Sequence, residues 1–381
     1  MTQPILEAEP AIAADLPRRV RSPRMDLQRA AGGIGAVSVK ELRGRMRGRR
    51  AFVILTIYLV VLAGFAWMVE IILERSYSAT VQFGGAAPTA SAAIGQGIFA
   101  SLLMLETLLV AFLAPLSTAG AISLEREKQT LEMLVATPIS SFAIVVGKLF
   151  SALIYVWLLI AASIPLTAVV FVFGGVAPED VIRGYLVLVV TGLGFGSFGL
   201  LCSSITKRTQ SATSIAIVGI LVISLGSAFT IYFWNALAKG ADGQGLGPIK
   251  GAAPAALVYL DPFLAQMDVA PDNVLCAGDE TFRIWCRVKG ELLPGGNRII
   301  FVDGKAGLEP GFTVAFPAES RPLTEEVEPS VVERDPIWQQ TVTAWLILSV
   351  VFLLLSVQAV SPTRRWRLRR GPRLTPSRTT R

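Results

Sequence analysis

Six apolar stretches, each long enough to cross a lipid bilayer, constrain this chain more than any other feature. A bilayer core about 30 Å thick requires roughly 20 helical residues. The stretches cover residues 51–73, 94–122, 147–172, 182–203, 212–234 and 341–360. We therefore predict an all-α polytopic membrane protein with six transmembrane helices. Because the number of crossings is even, both termini are expected on the same side of the membrane.

Composition supports a membrane protein and argues against several kinds of site. Of the 381 residues, 52% are hydrophobic and only 17% are charged, too few charges to cover a soluble domain of this size. Histidine is absent, which removes the commonest general base and the commonest metal ligand. The three cysteines, Cys202, Cys276 and Cys286, form no CxxC pair, so no metal site is expected.

The basic residues indicate the orientation of the chain. They cluster before the first stretch, after the last one, and in the second-to-third and fourth-to-fifth connections. The positive-inside rule therefore predicts cytoplasmic termini. Anionic lipid headgroups account for the net charge of +7, and no nucleic-acid partner is expected.

The division of the chain follows from this topology. We predict, in order, a disordered cytoplasmic leader (1–36), five spans with their cytoplasmic helices (37–238), an external loop region (239–337), the sixth span (338–362) and a basic cytoplasmic tail (363–381). Within the external loop region, 255–267 resembles a short helix interrupted near Pro262. Short strands are predicted at 281–288, 297–302 and 312–316, so a small β-element is expected. A disulfide between Cys276 and Cys286 is predicted if this face is oxidising.

Two apparent nucleotide motifs do not fit their structural requirements. The string GFGSFG at 194–199 lies inside an apolar span, whereas a dinucleotide fingerprint follows a strand and opens a helix. Its glycines predict close helix–helix packing instead. Gly147-Lys148 lacks the remainder of a phosphate-binding loop, so any ATP must bind another chain.

A charged segment separates the second and third apolar stretches. Residues 123–136 predict an amphipathic helix that Ser123 caps and that Thr137-Pro138 ends. Glu125 and Glu127 lie in its first turns, and Glu127, as a surface charge, is expected to contribute little to stability. The pattern alone leaves two interpretations, a solvated loop and a docking element.

The string ISLEREKQTLEMLVATPISSFAIVVGK at 122–148 resembles the signature of type-2 ABC transporter permeases. The matching positions are Glu125, Glu127, Thr130, Leu131, Glu132, Leu134, Thr137, Pro138, Gly147 and Lys148. The stretches VKELRGRMRGRRAF before the first span and SSITKRTQSAT between the fourth and fifth also resemble the family, as does the six-span layout.

The resemblance implies a function and a set of site residues. The chain would be the permease subunit of an exporter in a plasma membrane of the bacterial inner-membrane type, surrounded by membrane lipids. A separate ABC ATPase would bind ATP and Mg, this chain would hold no cofactor, and a second permease subunit would complete the unit. The implied coupling helix contains Glu125, Glu127, Thr130, Leu131, Glu132, Thr137 and Pro138. The implied interfacial helix contains Lys40, Glu41, Arg45 and Arg49.

Glu106 is an ionisable residue inside the second apolar stretch. Such a residue should face protein or water rather than lipid. It would either line a transport pathway or form hydrogen bonds between helices.

Two other functions remain as alternatives to a permease. One is a membrane-embedded enzyme, such as an intramembrane protease or a lipid transferase. The absence of histidine and of convergent Ser/Lys or paired-Asp residues argues against that enzyme. The other is a non-catalytic membrane scaffold with an external domain.

Overall fold

The computed structural model describes residues 49–82, 87–130, 141–239, 253–271, 286, 288–289, 292–293, 298–302, 305–309 and 336–360. Its helices are α1 (Arg49–Gln82), α2 (Ala87–Thr118), α3 (Ser123–Glu127), α4 (Ser141–Thr167), α5 (Val170–Phe173), α6 (Pro178–Ile205), α7 (Thr209–Lys239), α8 (Ala255–Leu260), α9 (Pro262–Val269) and α10 (Ile337–Val360). Two short strands, β1 (Arg298–Val302) and β2 (Lys305–Glu309), pair antiparallel.

Among the described residues, six helical segments are long and apolar enough to cross a membrane. They are Phe52–Tyr77, Ala90–Glu127, Ser141–Phe173, Pro178–Ile205, Thr209–Ala238 and Ile337–Val360. Each contains or largely overlaps one of the six predicted stretches, so the prediction of a six-span, multi-pass membrane protein is confirmed.

Helix α6 forms the centre of the bundle. It packs against α2, α4, α7 and α10, and 78% of its most apolar window is buried inside the protein. The corresponding share is only 17% for α1 and for α10. The outer helices therefore present apolar side chains outwards, as expected for surfaces that contact lipid.

The glycines of the 194–199 string lie where other elements approach α6 closely. A side chain at Gly194 would collide with the ring of Trp345 on α10. A side chain at Gly196 would collide with Leu153 on α4, and one at Gly199 with Pro115 on α2. The predicted role of these glycines in close helix packing is confirmed.

Two short helices, α8 and α9, follow α7 and fold back against the bundle. Pro262 opens α9, and Asp261 caps it by accepting the backbone N–H of Phe263 at 2.9 Å. The predicted interruption near Pro262 is thus confirmed. Asp261 is buried, and this burial raises the pKa of its carboxyl to about 7. At the end of α9, Asp268 accepts the backbone N–H of Ile337 at 2.8 Å and so fixes the start of α10.

The rest of the predicted loop region is described only in part. Strand β1 covers most of the predicted strand at 297–302, whereas 312–316 lies outside the described residues. The strand predicted at 281–288 is wrong at Cys286 and Val288, which are helical. An alternating apolar pattern favours a strand, but it does not exclude a short helix.

The cysteine pairing is not decided by the described residues. Cys202 is a free, buried thiol, and Cys286 is disulfide-bonded. Cys276 lies outside the described residues, so the bridge between Cys276 and Cys286 stays a prediction.

Candidate functional site

The charged segment at 123–130 forms one short helix that ends in a tight turn. Helix α3 stops at Glu127, and Gln129 adopts a positive φ of 57°. The N–H of Thr130 then donates to the carbonyl of Glu125 at 3.0 Å, and the N–H of Gln129 donates to that of Arg126 at 3.2 Å. These two bonds form a Schellman motif, which closes a helix C-terminus.

Two details of the sequence prediction for this segment are therefore wrong. A continuous helix over 123–136 was expected, but its described part already ends at Glu127 because the left-handed turn satisfies the last carbonyls. Ser123 was expected to cap the helix. It is instead the first helical residue, and its hydroxyl donates backwards to the carbonyl of Ala119 at 3.0 Å.

Ser203 of α6 holds the start of α3. Its hydroxyl oxygen accepts the backbone N–H groups of Ile122 at 3.0 Å and Ser123 at 2.9 Å. These are two of the donors that a helix N-terminus leaves without a partner. Ile122, Ser123 and Ser203 are all fully buried or nearly so, so this contact is shielded from water.

Arg126 and Glu127 bind opposite ends of the turn between α6 and α7. The Arg126 guanidinium donates to the carbonyls of Ser204 at 3.1 Å and Thr206 at 3.0 Å, at the C-terminus of α6. The Glu127 carboxylate accepts the backbone N–H of Thr209 at 2.7 Å, at the N-terminus of α7. A cation at a helix C-terminus and an anion at an N-terminus are both favourable. Two adjacent residues of α3 therefore tie it to two spans.

Glu125 connects the same segment to α4. Its Oε1 lies 3.3 Å from the Nζ of Lys148, whose side chain is only 4% exposed. Its other carboxylate oxygen accepts a short hydrogen bond from the hydroxyl of Thr130. The charge of Lys148 is thus buried against a partner, a requirement for any buried cation. Together with the contacts of Ser203, Arg126 and Glu127, this pair defines the α3 junction.

The opposite side of the segment is open. Leu124 is 43% exposed, and Lys128, Gln129 and Thr130 are also exposed. The α3 junction therefore has one side bound to three transmembrane helices and another side that combines an apolar side chain with an exposed positive charge.

Several residues of the expected sites are not described. Leu131, Glu132, Thr137 and Pro138 lie outside the described residues, as do Lys40, Glu41 and Arg45. Arg49 is the first residue of α1. The interfacial helix and the second half of the coupling segment therefore stay predictions.

Glu106 lies inside the bundle, on α2, with 1% of its side chain exposed. The hydroxyls of Ser163 on α4 and Tyr185 on α6 interact with its carboxylate, yet neither carboxylate oxygen makes a hydrogen bond of good geometry. The Tyr185 hydroxyl is instead 2.7 Å from that of Thr167. Glu106 thus faces protein, as expected for an ionisable residue in a span.

The sequence did not reveal the inward half of the α3 junction. Arg126, Ser203 and Thr209 were not identified as site residues, and the contact of Glu127 with α7 was not foreseen. The available signal was indirect, because SSITKRTQSAT at the α6–α7 turn contains the small hydroxyl residues that bind α3. Nothing in the sequence indicated which of these hydroxyls would meet it.

The chain also matches a known protein family. A model of the ABC-2 family transporter proteins matches residues 36–280, well over half of the chain. The chain belongs to this family. No curated protein sequence matches the chain, so the assignment rests on the family match.

The ABC-2 match identifies the chain that contains the α3 junction as a known type of membrane subunit. The chain is a type-2 ABC transporter permease, a multi-pass transport protein rather than a catalytic subunit. The match covers α1 to α9. It therefore includes the first part of the predicted external loop region, up to residue 280.

Proposed function

We propose that this permease exports its cargo with energy from a separate ABC ATPase, which docks on the exposed side of the α3 junction. One observation carries the proposal. The 123–130 segment is fixed by side chains to α4, α6 and α7, while Leu124 and Lys128 remain exposed at its surface. A solvated loop has no need of such anchors.

The anchors give the segment a mechanical role. A displacement of α3 would be transmitted to α6 through the hydrogen bonds of Ser203 and Arg126. It would be transmitted to α7 through the hydrogen bond of Glu127. Because α6 is the central helix of the bundle, a displacement of its end is transmitted to α2, α4 and α10. In this scheme the α6–α7 turn transmits the conformational change of the ATPase to the transmembrane helices.

The chemistry of the exposed side fits a protein partner. Leu124 offers an apolar contact, and Lys128 offers a positive charge that selects an acidic cleft. The positive-inside rule predicts that this side faces the cytoplasm, where ATP would be available. ATP and Mg would bind the partner, and two permease subunits with two ATPase subunits would form the working unit.

Purification of the full-length permease from its native membrane in mild detergent tests the proposal. An ABC ATPase should copurify, and its rate of ATP hydrolysis should change when the permease is present. A permease that carries no ATPase, and that leaves the hydrolysis rate of the ATPase from the same cells unchanged, would contradict the proposal. Accumulation of cargo by inverted vesicles supplied with external ATP tests the direction.

A further inference from the structure

A cavity of about 220 Å³ lies between α2, α7 and the start of α9, away from the α3 junction. Its wall is almost entirely apolar, with Phe112 from α2, Leu221 from α7 and Phe263 from α9 among its side chains. Ser224 and Asp261 are the polar residues that line it.

Water is a poor occupant of this cavity. One oxygen of Asp261 accepts the backbone N–H of Phe263, and the other accepts the hydroxyl of Ser227 at 3.2 Å. The Ser224 hydroxyl, which has no hydrogen-bond partner among the described residues, and the remaining lone pairs of Asp261 offer partners for a single water, whereas the other lining residues are apolar. A buried water requires two to four polar partners, and apolar cavities stay dry. The cavity therefore suits hydrocarbon.

The surroundings of the cavity determine which hydrocarbon can reach it. Leu108 of α2 and Leu225 of α7 line the cavity and are 43% and 66% exposed. Both lie within membrane-spanning segments, well away from the segment ends. In a bilayer the exposed parts of these side chains contact lipid acyl chains, so a chain enters the cavity without leaving an apolar environment.

We propose that the cavity binds an acyl chain of a membrane phospholipid. An apolar cavity of about 150 Å³ binds benzene in another protein. A cavity of about 220 Å³ therefore accommodates a longer hydrocarbon segment. The bound chain would fill the space between α2, α7 and α9. This site goes beyond the proposed function, because its formation involves neither the ATPase nor the cargo.

The test uses the full-length permease in bilayer nanodiscs that contain phosphatidylcholine with a photoreactive diazirine near the end of one acyl chain. Crosslinks should concentrate on the wall formed by Leu221, Ser224 and Leu225, and they should saturate as the fraction of probe lipid rises. Mass spectrometry of the labelled peptides measures both properties.

Two variants that fill the cavity keep the test decisive. Ala111→Phe and Ser224→Leu each add bulk to the wall, from α2 and from α7. Either variant should lower the cavity crosslinks several-fold. Val222→Phe is the matched control, since Val222 is 66% exposed on α7 and does not line the cavity.

The proposal is overturned by either of two results. In one, crosslinks spread evenly over the exposed side of α7 and do not saturate. In the other, a folded filling variant is labelled as strongly as the Val222→Phe control. If one filling variant fails to fold, the second gives the comparison.

Discussion

The α3 junction and the bundle interior hold acidic and basic groups in different ways. At the junction, Lys148 has Glu125 as its partner, and Glu127 has the N-terminus of α7. In the interior, Glu106 and Asp261 are both 1% exposed, and neither forms an ion pair with a described residue. Opposite charges therefore hold the junction together, whereas no described charge balances the two interior carboxyls.

The largest effect is expected from Asp261→Asn. The pKa of Asp261 is about 7 in the folded protein, against 3.8 for an aspartate in an unfolded chain. Folding therefore favours the protonated form, and this stabilisation is lost as the pH rises from about 4 through 7. Asparagine keeps the cap on Phe263 and carries no charge. At pH 8 the variant should be more stable than the wild type by on the order of 4 kcal/mol, with little difference at pH 4.

Thermal unfolding of the detergent-solubilised protein between pH 4 and 8 measures this effect. The wild type should lose stability across the range relative to the variant. Parallel pH profiles for the two proteins would show that Asp261 does not titrate as its burial requires.

Glu125→Gln should lower the stability of the folded protein, whereas Asp261→Asn should raise it. The variant removes the negative charge that lies 3.3 Å from the Lys148 ammonium, whose side chain is 4% exposed. Loss of one member of a buried pair costs about 3–5 kcal/mol, and the lower end applies because Glu125 is 33% exposed. Chemical unfolding at low salt measures the loss. Lys148→Met is the matched variant, and it should cost less because no buried charge remains.

Ser203→Ala tests the hydroxyl that anchors α3. The substitution leaves the N–H groups of Ile122 and Ser123 without an acceptor in a buried site. We expect a loss of about 2 kcal/mol, together with faster hydrogen exchange at residues 122 and 123. Ser197→Ala is the control, since among the described residues this buried serine of α6 donates only to the carbonyl of Gly194 in its own helix. Equal losses in the two variants would contradict the anchoring role.

Glu127→Gln should have a smaller effect on stability. It removes the negative charge at the N-terminus of α7 but retains an oxygen that accepts the N–H of Thr209. Such a charge contributes about 0.3–1 kcal/mol at low salt. The loss should shrink in unfolding experiments at high salt. A loss that does not depend on salt would show that shape rather than charge holds this contact.

Glu106→Gln is the smallest expected change and the sharpest contrast with Glu125→Gln. The carboxylate oxygens of Glu106 make no hydrogen bond of good geometry, and no described cation depends on them. At pH 5, where an unpaired buried carboxyl and its amide replacement are both uncharged, the unfolding midpoint should therefore stay close to that of the wild type. A loss of stability as large as that of Glu125→Gln would contradict the difference between the bundle interior and the α3 junction.

The spans were predictable from sequence because each is a long apolar stretch, a property of consecutive residues. The same is true of the break at Pro262 and of the close packing at Gly194 and Gly196. These features depend on backbone chemistry that local sequence determines. The close packing at the glycines could also be predicted without knowing which helix would approach them.

The α3 junction was less predictable because its contacts join distant parts of the chain. Arg126 meets the end of α6, and Glu127 meets the start of α7, each roughly 80 residues away. The pattern of residues 123–136 predicted one continuous helix, but the turn at Gln129 ends that helix first. The sequence motif identified the 123–130 segment, but it did not reveal which residues of the other helices bind that segment.

If an ATPase docks on the exposed side of the α3 junction, its binding should depend on the charge of Lys128. Lys128→Glu reverses an exposed charge. It should leave the unfolding midpoint nearly unchanged and lower the copurified ATPase by about tenfold, equivalent to 1.4 kcal/mol of binding. Glu74→Lys, an exposed reversal near the other end of the bundle, should not lower it. A folded Lys128→Glu permease that retains its ATPase at the wild-type yield would contradict the claim.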